Sequence, residues 1–327
     1  MTQLLHPNHP RGLPQSVHYI TMDDMSTRVS TLRSLLPSIQ SSLETFNASP
    51  SKFHVVRTIN PSPTQPRTLY ILDSSFNPPS RAHLSLATSA LNIQKPGEDK
   101  PARLLLLFST HNADKAPSPA SFVQRIALMT VFAEDVLRSL QSSSATPEDT
   151  KNVSIDIGLT KEPYYTDKSV AIAAEAPEIY ASEPIHVHLV GYDTLIRFCN
   201  PKYYAEYKPP LSALKPFFDA GHKLRVTQRP CNENDPSSKE FGTVEDQEKY
   251  LQNIKDGDLE KDGFEREWRG NIDMVEGTGM GISSTRVRRE AKYGNWDEVG
   301  RLCTEGVAAW IRGEGLYEGD ASGKKMG

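Results

Sequence analysis

The sequence predicts an α/β protein in which a parallel sheet is covered by helices on both faces. Strand-like apolar runs alternate with helix-like segments along most of the chain, which is the order that a parallel sheet requires. Several of these runs are apolar at consecutive positions, as expected for strands that are buried on both faces. The candidate strands are "KFHVVRTI", "RTLYILD", "ARLLLLFS", "VSIDIGL", "IHVHLVG", "HKLRVTQ" and "NIDMV".

The chain is expected to begin with a loose tail over residues 1–24, followed by a helical extension. Apolar residues recur at intervals of three and four between Met25 and Phe46, which predicts a helix that Pro37 kinks or splits. The strand-like "KFHVVRTI" comes next, and then a turn or short linker, "NPSPTQP". We therefore assign residues 1–66 to an N-terminal tail and helical extension, 67–317 to the main domain and 318–327 to a disordered tail.

The strongest helix prediction is the segment "SPASFVQRIALMTVFAEDVLRSL", in which Ser118 or Ser121 can cap the N-terminus. Shorter helices are predicted between the other strands, at "AHLSLATSAL", "SVAIAAEA" and "TLIRFC". Two or three more are predicted in the C-terminal stretch "STRVRREAKYGNWDEVGRLCTEGVAAWIRGEGLY". Residues 232–263 form an acidic polar insertion, part helix and part mobile loop, with too little apolar periodicity to contribute to a core.

Composition and charge exclude several classes of protein. A net charge of −4 and a pI of about 6.2 give no electrostatic footprint for wholesale nucleic-acid binding. The 3 cysteines are too few and too scattered for a disulfide framework or a zinc site, and we expect no protein-held metal. No run approaches ~18 consecutive apolar residues, so no membrane span is expected. The start of the chain lacks a secretory signal, and we expect a cytoplasmic protein that can also enter the nucleus.

The stretch "LYILDSSFNPPSRAHLSLA" joins a predicted strand to a predicted helix through small residues and two prolines. Such a turn lets backbone N–H groups face a ligand at the carboxyl edge of the sheet. The helix begins near Ser80 and Arg81, and its unpaired N–H groups and partial positive charge suit a phosphate. His83, in the first turn, could donate a hydrogen bond to a phosphoryl oxygen. Alternatively, the histidine only caps or packs against an ordinary turn.

A second helix start of this kind lies in "GMGISSTRVRREAKYGN". Small hydroxyl residues stand at its N-cap and first turn, and Arg286, Arg288 and Arg289 follow. Alone, this pattern indicates a capped helix with a solvated basic face. Two helix starts suited to phosphate in one chain favour a shared phosphate site.

These two segments resemble the signature motifs of the nucleotidylyltransferase superfamily. "SSFNPPSRAHL" is similar to its G-S-F-x-P-x-x-x-x-H segment, and "ISSTRVR" to its I-S-S-T-x-x-R segment. Within the superfamily the chain resembles the nicotinamide mononucleotide (NMN) adenylyltransferases, especially divergent fungal members, from about Arg67 to Tyr317. The resemblance implies a Rossmann-like fold and transfer of AMP from ATP to NMN, or to nicotinate mononucleotide. The products would be a dinucleotide such as NAD and pyrophosphate, with Mg²⁺ bound mainly through the ATP phosphates.

The resemblance also implies roles for individual residues. Two are implied to be catalytic, His83 and Arg288. Contacts with ATP are implied for Ser75, Phe76, His83, Gly191, Asp193, Ser283, Ser284, Thr285 and Arg288. Contacts with the second substrate are implied for Lys115 in "HNADK", for Tyr165, Thr166 and Ser169 in "YYTDKS", and for Arg229 in "RVTQRP". From the residues alone, Lys115 could equally be a solvated lysine, Tyr165 a core residue and Asp193 a helix cap.

The chain departs from the family pattern at three positions. Ser80 stands where the first histidine of the family's H-x-G-H would be, and Ala82 replaces the glycine of that motif. Ser74 replaces the glycine of G-S-F and adds a side chain where backbone and phosphate approach closely. We therefore expect the serine at position 74 to lower the rate of the reaction or to abolish it.

Two other functions stay open at this point. One is nucleotidyl transfer to a different phosphorylated acceptor on the same fold. The other is a nucleotide-binding protein that hydrolyses ATP slowly and acts through protein partners, with the N-terminal extension or the acidic insertion as the contact surface. The insertion could instead be a lid, but acidic residues would repel ATP, so we favour a peripheral role for it.

Overall fold

A computed structural model describes residues 22–92, 103–110, 120–143, 153–232, 236–277 and 281–318. Its centre is a 7-stranded sheet with the strand order β1-β4-β3-β2-β5-β6-β7. The strands are β1 (Phe53–Ile59), β2 (Thr68–Asp73), β3 (Arg103–Ser109), β4 (Ser154–Thr160), β5 (Ile185–Gly191), β6 (Lys223–Thr227) and β7 (Ile272–Val275). All neighbouring strands pair in parallel except β1, which runs antiparallel to β4.

Helices cover both faces of this sheet, as the sequence predicts. They are α1 (Met22–Ala48), α2 (Arg81–Leu91), α3 (Phe122–Ser143), α4 (Tyr165–Glu175), α5 (Tyr192–Phe198), α6 (Lys215–Asp219), α7 (Val244–Asp256), α8 (Ser284–Lys292), α9 (Trp296–Leu302) and α10 (Glu305–Gly313). Short 3₁₀ helices cover Pro201–Tyr204, Pro210–Leu214, Pro236–Phe241, Glu260–Asp262 and Arg266–Asn271.

The order of the strands places β2 and β5 side by side at the centre of the parallel sheet. From β2 the chain moves outward through β3 to β4, and then returns to β5 and moves outward in the other direction through β6 to β7. The point between β2 and β5 is therefore a topological switch point, where open α/β sheets bind ligands at the carboxyl ends of the strands.

The central strands are buried on both faces, which confirms the interpretation of their continuous apolar runs. Leu104 and Leu106 of β3 belong to a core cluster that also contains residues of α1, α3 and α10. Leu105 and Leu107 point to the opposite face, where they pack with residues of α4. Because side chains alternate along a strand, four consecutive leucines supply two separate cores.

The N-terminal segment is built into the sheet and its helical layer. Residues 53–59, which we expected in an extension outside the main domain, form the edge strand β1. The helix before them begins at Met22 and is continuous to Ala48, with Pro37 inside it, so Pro37 does not split the helix. Its buried apolar stripe, which includes Leu32 and Ile39, packs against the core and offsets the loss of one backbone hydrogen bond.

A buried ion pair attaches α1 to the rest of this layer. The guanidinium of Arg28 donates to Asp135 Oδ1 of α3 at 2.8 Å, and both side chains are buried. The other carboxylate oxygen of Asp135 accepts the backbone N–H of Gly306 in α10 at 3.0 Å. One aspartate thus joins three helices.

The acidic segment 232–263 does contribute to a core, so the prediction that it would not was wrong. Its helix α7 starts with a reciprocal cap between Thr243 and Asp246. Leu251 and Ile254 lie buried in the core cluster formed around β5, β6 and β7. The apolar residues are few and lie among charged ones, but the helix brings them to one face and turns the charges to solvent.

In the part of the chain that the structure describes, no helix is both long enough and apolar enough to cross a membrane.

We expect Leu251→Ala to lower the free energy of unfolding by about 2–5 kcal/mol, because it removes a buried side chain and leaves a cavity. Lys249→Ala changes an exposed residue of the same helix and should cost less than about 0.5 kcal/mol. Chemical denaturation of the full chain measures both values. Equally small losses would show that α7 is a peripheral element after all.

Neighbouring acidic residues on α3 give a matched test of the attachment of α1. Asp135→Ala should lower the free energy of unfolding by about 3–5 kcal/mol, because Arg28 would lose its buried counter-charge. Glu134 also contacts Arg28 but is more exposed, so Glu134→Ala should cost less than about 1 kcal/mol. Urea denaturation curves would refute this role of Asp135 if the two variants lost the same stability.

Candidate active site

A cavity of about 380 Å³ lies at the carboxyl ends of β2 and β5, at the switch point of the sheet. It is lined from the β2 side by Asp73, Ser74, Ser80 and His83, and from the β5 side by Gly191, Asp193 and Thr194. The lining also includes Ser283 and Ser284 at the start of α8, Tyr165 of α4, Arg197 of α5 and Arg229 after β6. The sheet therefore brings half of the site residues predicted from the sequence to the lining of one cavity.

The loop after β2 is anchored by Phe76. Its side chain is fully buried, with its ring 5.6 Å from that of His83 and 6.4 Å from that of Phe132. Its φ of 44° is in the left-handed region, which costs a residue other than glycine about 1–2 kcal/mol. Burial of the ring holds this backbone in place and leaves the preceding Ser75 exposed.

His83 has a hydrogen-bond partner at each ring nitrogen. Nδ1 accepts the backbone N–H of Ser80 at 3.0 Å, and Nε2 lies 2.9 Å from Oγ of Ser74. Burial lowers the pKa of His83 to about 4, so the ring is neutral at pH 7. Ser80, which replaces the first histidine of the family motif, thus holds the ring through its backbone N–H and its hydroxyl, whose Oγ is also 3.0 Å from Nδ1.

The start of α8 is joined directly to the loop after β2. Oγ of Ser284 donates to the carbonyl oxygen of Pro78 at 2.8 Å, and Nη1 of Arg288 donates to the carbonyl oxygen of Asn77 at 2.7 Å. Ser283 caps the helix by accepting the backbone N–H of Arg286. The two helix starts predicted to bind phosphate therefore meet at one loop.

The three arginines of α8 differ in their surroundings. Arg286 pairs with Glu298 at 2.6 Å, and Arg289 pairs with Glu290 at 2.7 Å. Arg288 forms no ion pair with any residue that the structure describes; its Nη2 donates to Thr285 Oγ1, while its buried Nε has no partner there. Its contacts are with the loop, and neither Arg288 nor the exposed Thr285 lines the cavity itself.

The predicted second-substrate residues divide into two groups. Tyr165 lines the cavity, and burial together with the nearby Asp73 carboxylate raises the pKa of its phenol. Thr166 and Ser169 are buried away from the cavity, and Ser169 Oγ lies 2.9 Å from Nε2 of His188. The hydroxyl of Ser169 is therefore hydrogen-bonded within the core and does not face the cavity. Lys115 lies outside the described residues.

An ion pair that the sequence analysis did not anticipate stands at the edge of the cavity. Nζ of Lys168 donates to the carboxylate of Asp73, the last residue of β2, and both side chains are buried. The ammonium also lies over the ring of Tyr165, 5.1 Å from its centroid. A lysine one turn into "YYTDKS" and an acidic residue at a strand end were visible in the sequence, but nothing there paired them.

On the other side of the cavity, Asp193 is held by two arginines. Its carboxylate lies 2.6 Å from Arg197 and 3.7 Å from Arg229. A Cβ on Gly191, the residue before α5, would come within 2.8 Å of Asp193 Oδ1, so a larger residue there would displace this carboxylate. Asp193 and Arg229 thus lie together at the cavity.

Comparison with known proteins supports the resemblance seen in the motifs. No family model matches the chain. A protein of Schizosaccharomyces pombe named "Putative nicotinamide mononucleotide adenylyltransferase" is 31% identical over 249 residues, which cover 75% of this chain and 84% of that protein.

Solved structures give weaker likenesses. A nicotinic acid mononucleotide adenylyltransferase of Plasmodium falciparum complexed with NaAD is 12% identical, covers 78% of this chain and 98% of its own, and has a TM-score of 0.43. A "Putative Nicotinate-nucleotide Adenylyltransferase" of Vibrio parahaemolyticus is 16% identical over the same shares, with a TM-score of 0.36. The family assignment therefore rests on the yeast relative: the chain belongs to the nicotinamide mononucleotide adenylyltransferase family.

Proposed function

We propose that this protein transfers the adenylyl group of ATP to the 5′-phosphate of NMN, giving NAD and pyrophosphate. The observation that supports this most is the meeting of two helix N-termini at the switch point, joined through the carbonyl oxygens of Asn77 and Pro78. Helix N-termini suit phosphates because their first N–H groups lack partners within the helix and carry partial positive charge.

The reaction needs no covalent enzyme intermediate. A phosphate oxygen of NMN attacks the α-phosphorus of ATP, and the bond from that phosphorus to the bridging oxygen of pyrophosphate breaks on the opposite side. The protein contributes position and charge stabilisation. In this proposal the starts of α2 and α8 face the phosphates, Gly191 and Asp193 face the adenosine, and Tyr165 and Arg229 face the second nucleotide.

The residues around the cavity fit a Mg²⁺ ion that arrives with ATP. Both carboxylates that line the cavity, Asp73 and Asp193, are already in ion pairs. Among the described ranges, no group of three His, Cys, Asp or Glu side chains could hold a metal. Such an ion would be held by phosphate oxygens and water, and it would supply positive charge to the triphosphate.

A protein partner of the N-terminal extension or the acidic insertion would contact residues of α1 or α7 that are outside the core. The apolar faces of α1 and α7 are already used, since Leu32 and Ile39 are buried in one core cluster and Leu251 and Ile254 in another. These buried residues are therefore not available to a partner that docks on either helix.

The first prediction of this proposal is formation of NAD and pyrophosphate in equal amounts when the protein is incubated with ATP, Mg²⁺ and NMN. Chromatography for the dinucleotide and an enzymatic assay for pyrophosphate measure the two products. Parallel reactions with nicotinate mononucleotide, and with other phosphorylated acceptors, define the acceptor. Phosphate release from ATP alone, with no dinucleotide from any acceptor, would favour the ATP-hydrolysing alternative and refute the proposal.

A second prediction separates Arg288 from its neighbour on α8. We expect Arg288→Ala to weaken ATP binding by at least about tenfold, or about 1.4 kcal/mol, because the loop loses its contact at Asn77 and the site loses a positive charge. Arg289→Ala should stay within about twofold, since Arg289 is exposed and pairs with Glu290. Isothermal titration with ATP measures both. Equal losses would indicate a general basic surface and no specific phosphate contact.

A further inference from the structure

The hydrogen bonds of His83 define which ring nitrogen carries the proton. Its Nδ1 lies 3.0 Å from both the backbone nitrogen and Oγ of Ser80. The hydroxyl can donate or accept, but the backbone N–H is directed at Nδ1 and an amide N–H can only donate. A neutral imidazole has one proton, so that proton lies on Nε2. Nε2 is 2.9 Å from Oγ of Ser74 and therefore donates to it.

This arrangement leaves the hydroxyl of Ser74 with a hydrogen to give. Its oxygen is the acceptor for His83, while its backbone N–H donates to the carbonyl oxygen of Leu107. Ser74 lines the cavity beside His83, at the loop that faces the start of α8. A hydroxyl that accepts one hydrogen bond becomes a better donor in the next, because the two bonds polarise each other.

We propose that the hydroxyl of Ser74 makes the hydrogen bond to the phosphate of ATP, and that His83 is a positioning residue that acts through it. The inference rests on the proposed function and deepens it. At this position the family motif has glycine, so a histidine placed as His83 could there reach the phosphate itself. In this chain the serine stands between the two.

The same geometry argues against Ser74 as a nucleophile. A histidine that activates a serine needs a free lone pair on the nitrogen that faces the hydroxyl. Here that nitrogen carries the proton, and burial lowers the pKa of the ring to about 4. Ser74 therefore donates a hydrogen bond without forming or breaking a covalent bond.

Steady-state kinetics of the full chain with ATP and NMN test the proposal. Ser74→Ala should lower kcat by about 10²-fold or more with KM for both substrates within about threefold, as for loss of a donor to the reacting phosphate. Ser74→Thr keeps the hydroxyl and should restore kcat to within about fivefold of wild type. Ser89→Ala, on α2 but away from the cavity, is the control and should leave kcat unchanged.

The double variant Ser74→Ala/His83→Ala distinguishes action through Ser74 from independent action. We expect its kcat to match that of either single variant, because residues that act as a unit lose their effect together. If Ser74→Ala has the kcat of wild type, His83 contacts the phosphate directly and the proposal fails. If the two losses multiply, the residues act separately and it fails as well.

Nitrogen-15 NMR of the histidines gives a measurement that does not need turnover. The spectrum of wild type should show His83 protonated at Nε2, and addition of ATP should leave that nitrogen bonded to Ser74. In Ser74→Ala, the Nε2 resonance should change before ATP is added, because the ring has lost its acceptor, and ATP should shift it no further. A proton on Nδ1, or a shift of Nε2 on addition of ATP to Ser74→Ala, would overturn the proposal, because that shift would mean direct contact between the ring and the phosphate. Absence of dinucleotide synthesis by wild type would refute only the proposed function.

Discussion

The contacts between α8 and the loop after β2 hold the candidate site together. Ser284 and Pro78 are separated by 206 residues, and Arg288 and Asn77 by 211. Each helix start supplies only a few N–H groups to one side of a ligand, so the two together can surround a chain of phosphates more fully than either alone. The sheet brings them together by reversing its direction between β2 and β5, and the two hydrogen bonds fix their distance.

Segments outside the motifs support this arrangement. The backbone N–H of Arg229, at the cavity, is bonded to the side chain of Gln247, which is fully buried in α7. On the other side, Asp135 joins α1, α3 and α10, the layer against which Phe76 packs through Phe132. The acidic segment and the N-terminal helix thus position the site, although none of their described residues lines the cavity.

The sequence predicts well those features that depend on residues close together in the chain. Strands such as β3 follow from consecutive leucines, α3 from its period and α8 from its serine cap. The antiparallel direction of β1, the burial of Ser169 against His188 and the pairing of Asp73 with Lys168 join residues that lie far apart. Such contacts depend on how elements pack, and one sequence does not record that. The buried face of α7 was missed for a related reason: charge dominates its composition, while its few apolar residues decide its packing.

The charges around the cavity explain how an acidic protein can offer a site for a polyanion. The net charge of the chain is −4, which gives no overall attraction for a polyanion. Each carboxylate at the cavity is neutralised locally, Asp73 by Lys168 and Asp193 by Arg197 and Arg229. Burial keeps His83 neutral, which leaves it as a hydrogen-bond donor and not as a charge. In the proposed site, attraction for phosphate therefore depends on Arg288 and on directed N–H and O–H groups at short range. Screening by salt weakens such short-range contacts far less than it weakens a surface charge.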